Sequence, residues 1–400
     1  LPSSPSLELT LAGKGPINGF NAALRFASNG QDRLAGGLRL AGSGPNLQGL
    51  TFSAELGGNI DPLLHPDYRP FFGPDLKLQF EGQHSGSSGL SLQKLDIQSR
   101  ALNLAGALQL SPQGDMQSGA FVAQITPPEG QAAVILPLPQ AGTTLGRGNL
   151  RARLNTDRRW TLQADLEDLN HALGHLGTLR LSGEGHLSAL DAASQALAGE
   201  FSLTLQGFLP KDQAWAAALG SELSLQSHLH SDDGRGLALN QLVLEGEDYR
   251  MSGDLRLSGF DLDLKIISDL DIGAEDLGRF SALAGRPVSG ALATRVAGHL
   301  SPFSGAFALD LQAKTQDLSL GISALDTLLA GAGALDLKGR RDLSGLYLEQ
   351  LQLSSKALTA ESEGDLSSQK GTVQFASRIE DLNVVLPQLS GPLELTGEVS

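Results

Sequence analysis

The chain has no cysteine, only 5% aromatic residues and no surplus of positive charge. Without cysteine there is no thiol nucleophile and no thiolate metal site, and an oxidising compartment would pose no disulfide problem. The 29 Lys and Arg against 44 Asp and Glu give a net charge of -15, the wrong sign for a nucleic-acid surface. The best apolar run, residues 132–138, is short and broken by Pro137, so no stretch reaches the length of a membrane-spanning helix. There is no signal peptide, and the chain opens on Leu1 rather than Met. The pattern is cut at both ends, with LELTGEVS breaking off at Ser400, which reads as the middle of a larger protein whose anchor lies elsewhere. Phosphate-cradling glycine motifs are missing too, and pairs such as Gly42 and Gly44 read as strand-end turns. No catalytic constellation emerges, so the chain reads as non-enzymatic, with no cofactor and no metal.

What it has is leucine in alternation. GLSLQKLDIQSRALNLAGALQLS (89–111), GLALNQLVLEGEDYRMSGDLRLSG (236–259) and GLYLEQLQLSSKALTAESEGDLS (345–367) share one rhythm. Each reads as a strand, a polar turn and a second alternating strand with a glycine inside it, and recurrence of such a unit signals a repeat architecture. The first strand changes phase: Leu237 and Leu239 share one parity, Leu242 and Leu244 the other. A one-residue slip would turn the apolar set outward, so a β-bulge is expected at Asn240–Gln241, and likewise at Gln93–Lys94 and Glu349–Gln350. The internal glycine lies in phase with the leucines, as where a sheet bends or is closely approached.

Interruptions divide the strands near residues 59–73, 126–143, 166–177, 208–220, 274–285, 323–331 and 381–390. Most read as short helices. Residues 208–220 carry Pro near the start and Gly at the end, and Ser323 precedes an apolar run as a capping residue. Residues 126–143 are proline-rich and loop-like, and SDDGRG (231–236) is a turn. The expected module is a short helix or loop followed by about four or five antiparallel strands. Few short helices cannot cover so many one-sided strands. The apolar face must therefore meet itself in a sandwich, a closed solenoid or a curled gutter.

Two histidine pairs deserve a metal test. A helix over 166–177 would put His171 and His175 on one face, and His228 and His230 alternate on a strand ahead of Asp232 and Asp233. The first pair has no acidic third ligand at a recognised spacing and reads more simply as solvated or packing, and the second reads more simply as a polar strand edge entering a turn. Trp160 and Trp215 read as packing residues. The leucines admit two readings: a dry core, or an open apolar floor for acyl chains, toward which the low aromatic content tilts.

The phrases LELTLAGKGPINGFNAALRF, LAGGLRLAG, NIDPLLHPDYRPFFGPDLKLQFEG and GLSLQKLDIQSRALNLAGALQLS resemble the central region of the TamB family, within the AsmA-like group of repeating β-groove proteins. The strand–loop pattern of residues 166–366 is similar, so the resemblance covers nearly the whole chain. It implies an all-β fold with short helices: an elongated, curled antiparallel sheet forming a U-shaped hydrophobic groove from repeated modules, continuous over residues 1–400. It implies a periplasmic span of an inner-membrane-anchored envelope protein that conducts phospholipids to the outer membrane and supports outer-membrane biogenesis, with a TamA-like barrel of the Omp85 class as partner. By shared parity the groove floor would fall on Leu102, Leu104, Leu108, Leu110, Leu179, Leu181, Met251, Leu255, Leu257, Leu335 and Leu337. Gly106, Gly183, Gly253 and Gly339 would permit its curl. The competing expectation is a β-rich scaffold or template for outer-membrane protein (autotransporter) assembly and secretion, capturing strands at open edges, or a dry solenoid passenger, although the calcium-binding GGxGxD motif is absent.

Overall fold

A computed structural model describes residues 6–16, 18–43, 49–138, 142–189, 195–232, 236–260, 263–367 and 371–400. Gly44, the turn at 233–235 with Asp233, and the side chain of Asp232 lie outside the described residues. The chain divides into two units, Leu1–Leu187 with Leu205–Gly207, and Ser188–Thr204 with Phe208–Ser400.

The first unit contains β1 (Leu7–Lys14), β2 (Phe20–Ser28), β3 (Gln31–Ser43), β4 (Gly49–Gly58), α1 (Arg69–Phe72), β5 (Leu76–Ser85), β6 (Gly89–Gln98), β7 (Leu102–Leu110), β8 (Met116–Ile125), β9 (Val134–Ile135), β10 (Thr144–Leu145), β11 (Arg147–Leu154), β12 (Arg159–His171) and β13 (Gly174–Ala189). β14 (Gln195–Pro210) follows. The second unit continues with α2 (Gln213–Leu219), β15 (Glu222–Asp232), β16 (Gly236–Glu245), β17 (Tyr249–Ser258), β18 (Lys265–Ala274), α3 (Ser281–Ala284), β19 (Ser289–Ser301), β20 (Ala306–Ser319), α4 (Ser323–Leu328), β21 (Ala332–Asp342), β22 (Gly345–Ser354), β23 (Leu358–Ser367), β24 (Gly371–Ile379) and β25 (Leu393–Val399). The protein is all-β with short helices, as its alternation requires.

Pairing is antiparallel and sequential. In the first unit β1 to β8 pair in chain order, β8 then pairs β11, and β11, β12 and β13 follow. β9 and β10 form a small ladder in the connection between β8 and β11, and β10 also pairs β12 at Thr144 and Asn170. In the second unit β15 to β25 pair in chain order. Among the described residues neither ladder closes on itself.

All three expected bulges are present. The register shifts between Leu92 and Leu95, between Leu239 and Leu242, and between Leu348 and Leu351. Gln241 takes φ 50, and its N–H is donated to Asp254 Oδ1 on the facing strand at 2.9 Å. The bulge keeps leucines of both parities on one face, so β6, β16 and β22 stay one-sided along their length.

Antiparallel pairing sends alternate connections to opposite ends of the strands. In the second unit α2, α3, α4 and the 3-10 turn Leu382–Val384 all fall on connections of one parity, and so at one end. In the first unit α1 and the loop carrying β9 share an end by the same rule. Each repeat explains why. The turn after the bulged strand packs on the helix of its own module: Ala101 N donates to Phe71 O at 2.9 Å, Tyr249 Oη to Leu219 O at 2.9 Å, and Ser355 Oγ to Leu328 O at 2.6 Å. The helix thereby satisfies C-terminal carbonyls that would otherwise lack donors. The α1 cap also seals a small cluster of Phe71, Ala101 and Val134.

α2 forms within the expected stretch 208–220, but only over Gln213–Leu219, because Phe208–Pro210 are still the end of β14. Asp212 accepts from Ala214 N at 2.8 Å and Trp215 N at 3.3 Å, and Gly220 with φ 74 ends the helix. Three expectations change. Ser323 is the first residue of α4 rather than its cap; instead Asp326 Oδ1 accepts from Leu320 N at 2.6 Å. Between α3 and α4 lie only β19 and β20, not four or five strands. Residues 166–177 are no helix but the hairpin of β12 and β13. The cause is a phase change like that of the repeats: Asp168 takes φ 52, and Gly146 N donates to both Glu167 O and Asp168 O. Leu166 and Leu169 thus acquire helix-like spacing within a strand.

Candidate functional site

Register carries the apolar positions into continuous rows. In the first unit Leu11, Leu24, Gly36, Leu56, Leu78, Ile97, Leu104, Ala123, Leu150, Ala164 and Leu181 face one another strand by strand. In the second unit the row is Leu242, Gly253, Leu270, Val296, Leu311, Leu337, Leu351, Ser362, Phe375 and Gly397. With strands ~4.8 Å apart, each row runs roughly 45–50 Å. Parallel rows lie above and below. Leu102, Leu108, Leu110 and Leu179 share the first unit's apolar face, and Met251, Leu255, Leu257 and Leu335 share the second's.

These faces are not sealed. All eleven leucine and methionine positions picked from the sequence are half-buried. The largest fully buried side chains are Leu145, Val134 and Ser28, two of them in the short β9 and β10. The surface, 23471 Å² in all, exceeds the ~18,000 Å² of two compact globules each of half the mass. A sandwich interior would seal its leucines; here they remain within reach of solvent.

The floor glycines answer to two different needs. At Gly253 φ is 140, and a Cβ would run into the carbonyl oxygen of Asp269. Gly106 instead makes room for a ring: a Cβ there would meet Phe121 Cδ1 at 2.5 Å. Gly82 beside Phe52 and Gly397 beside Phe375 repeat that arrangement, with Cβ-to-ring distances of 2.6 and 2.8 Å. Gly339 is milder, 3.2 Å from Tyr347 O, and Gly183 pairs with Leu162 on the floor.

The opposite face is polar and ion-paired. Arg295 grips Asp269 with two bonds of 2.9 and 2.8 Å, and the guanidinium, as donor, holds that carboxyl below its ordinary value. Lys338 faces Asp310 at 3.2 Å, and Arg378 faces Glu394 at 2.8 Å. A shallow depression on this face is lined by Arg250, Asp271, Lys314 and Asp336 together with Ala293 and Ala334.

The helical end of the second unit has its own cluster. Arg279, with only 13% of its side chain exposed, donates to Glu247 Oε2 at 3.0 Å and lies 5.3 Å from the Tyr249 ring centroid. Glu247 also accepts from Ser221 N, and this bond followed by Arg279 lowers its pKa. The cluster ties the residue after α2's C-cap, Ser221, and the 3-10 turn Leu277–Phe280 ahead of α3 to the turn between β16 and β17, and has the character of a structural clamp.

The histidines do not converge on a metal. His171 and His175 sit in the hairpin, where His175 Nδ1 bonds Asn170 Oδ1 at 2.9 Å. His228 and His230 do share the polar face of β15, and His228 Nε2 meets Glu200 Oε1 at 2.9 Å. No group of three metal-ligating side chains occurs among the described residues. Trp160 lies on the apolar face opposite Gly185, whereas Trp215 is 51% exposed on α2 rather than packed.

Fold and site together define an open antiparallel sheet protein with one exposed apolar face. No protein-family model, curated protein or solved structure matches the chain. Among the described residues no helix is long and apolar enough to cross a membrane.

Proposed function

We propose that this chain is a non-enzymatic conduit of the TamB and AsmA-like type, carrying phospholipids along its apolar face across the periplasm between inner and outer membranes and so supporting outer-membrane biogenesis. One observation carries the reading: rows of apolar and small side chains run from strand to strand across each ladder and stay half-open. Each methylene sheltered from water favours the bound state by ~0.8 kcal/mol, so a diacyl lipid prefers this face to bulk water. Neighbouring sites along a row are nearly equivalent, so a chain held there can slide. The TamA-like barrel remains the partner that the resemblance implies.

Native mass spectrometry with lipid extraction on the purified chain tests this reading. Phospholipids co-purifying with the folded chain are the expected result. A folded, monodisperse, lipid-free chain that also rejects added phospholipid would overturn it and bring forward the scaffold that templates outer-membrane proteins.

A further inference from the structure

Among the described residues, the paired positions on the apolar face of the second unit carry one charge. Parity places Arg341 at the end of the β21 series Gly333, Leu335, Leu337, Gly339. It lies opposite Phe307 on one side and Leu346 on the other, so it interrupts an otherwise apolar row that includes Leu300. Every other paired position on that face among the described residues is apolar, small or hydroxylic. Among the described residues Arg341 has no ion pair or side-chain hydrogen bond, unlike Arg295, Lys338, Arg340 and Arg378, which all meet carboxylates on the polar face. Its guanidinium rests against the turn at Gly305, where a Cβ would lie 3.3 Å from Nη1.

The surroundings are those of a lipid interface. This end of the strands is the one without helices, and its turns present Phe260, Phe303 and Leu343 at 49%, 77% and 103% exposure. Consecutive turns at this end stand two strands apart, roughly 10 Å. Below Arg341, the run from Gly339 to Gly333 is roughly 20 Å long, enough for the ~15 Å depth of one leaflet's hydrocarbon. A planar guanidinium free of competing carboxylates is suited to the two oxygens of a phosphate.

We infer that Arg341 is a headgroup anchor: it binds the phosphate of a phospholipid whose acyl chain lies on Leu337, Leu335 and their cross-strand neighbours. The inference rests on the proposed conduit and adds what it selects for. Acyl chains alone would load the face regardless of headgroup; Arg341 makes the phosphate count, at the helix-free rim of the strands.

The test compares two probes with the same chains, dioleoylphosphatidylglycerol and dioleoylglycerol, competing for the purified chain in native mass spectrometry. The parent protein prefers the phospholipid. Arg341→Gln lowers that preference about five-fold, the size of one exposed ion pair, while dioleoylglycerol occupancy stays at the parental level; Arg341→Lys recovers part of it. The same preference in the parent and Arg341→Gln would overturn the anchor and leave the conduit standing. Failure of both probes to bind would overturn both. Displacement of the phospholipid by inorganic phosphate at matched concentration would also overturn the anchor, assigning Arg341 to free phosphate.

Discussion

Replacing Leu104 and Leu255 with Asp puts one carboxylate on the apolar face of each unit. Leu104 lies between Ile97 and Ala123, and Leu255 between Leu239 and Ser268. Same-face residues along a strand stand ~7 Å apart, so each change withdraws apolar support from a few methylenes of a chain lying there. Losing two or three at ~0.8 kcal/mol each amounts to ~2 kcal/mol per site, or ~30-fold in affinity. Both positions are half-buried, so the new carboxylates stay hydrated in the lipid-free chain and the fold survives. Phospholipid occupancy of the double variant, measured by native mass spectrometry, should fall to a small fraction of the parent's at an unchanged circular dichroism spectrum. The control is Asn103→Asp with Gln352→Asp, which adds the same charge to exposed positions on the polar faces. Parental loading in the leucine variant, or equal loss in the control, would refute the reasoning.

Gly253→Ala should destabilise the second unit by roughly 1–3 kcal/mol, because a side chain at this φ is strained and the oxygen it meets belongs to backbone; a urea midpoint equal to the parent's would contradict this. Acid should destabilise the fold selectively. Asp269 is held below its ordinary pKa first by the Arg295 hydrogen bond, Asp342 by Ser344, and Asp326 by the Leu320 N–H. Each of these carboxyls takes its proton more readily when unfolded. Their stabilisation is therefore complete above the ordinary carboxylate range near pH ~4 and is lost as pH falls through the lowered folded values. Melting temperature should be level from neutral pH to about 5 and drop below about 4, and Asp269→Asn should shallow that drop; an acid limb indifferent to Asp269 would show the pair to be idle.

Much of this molecule was legible as periodicity. Alternation placed the strands, and the doubled polar residues at 93–94, 240–241 and 349–350 located bulges because only an extra residue could keep leucines of both parities on one face. The same device misled at 166–177. There the doubled polar pair is Glu167–Asp168, with Asp168 left-handed as Gln241 is, but the leucines at 166, 169 and 173 also fit helical spacing, and that imitation won. Arg341 could have been noticed by counting twos from Leu335, but that it lacks a carboxylate partner depends on neighbours far away in sequence.

Sequence alone therefore determined which residues share a face, since period two follows from backbone geometry within a single strand. Only the tertiary structure decided what those faces meet. Register joined separate leucines into rows, the parity of the connections gathered the helices at one end, and the packing left the leucines of the apolar face half-buried. Those are outcomes of pairing between distant segments, which no local pattern encodes.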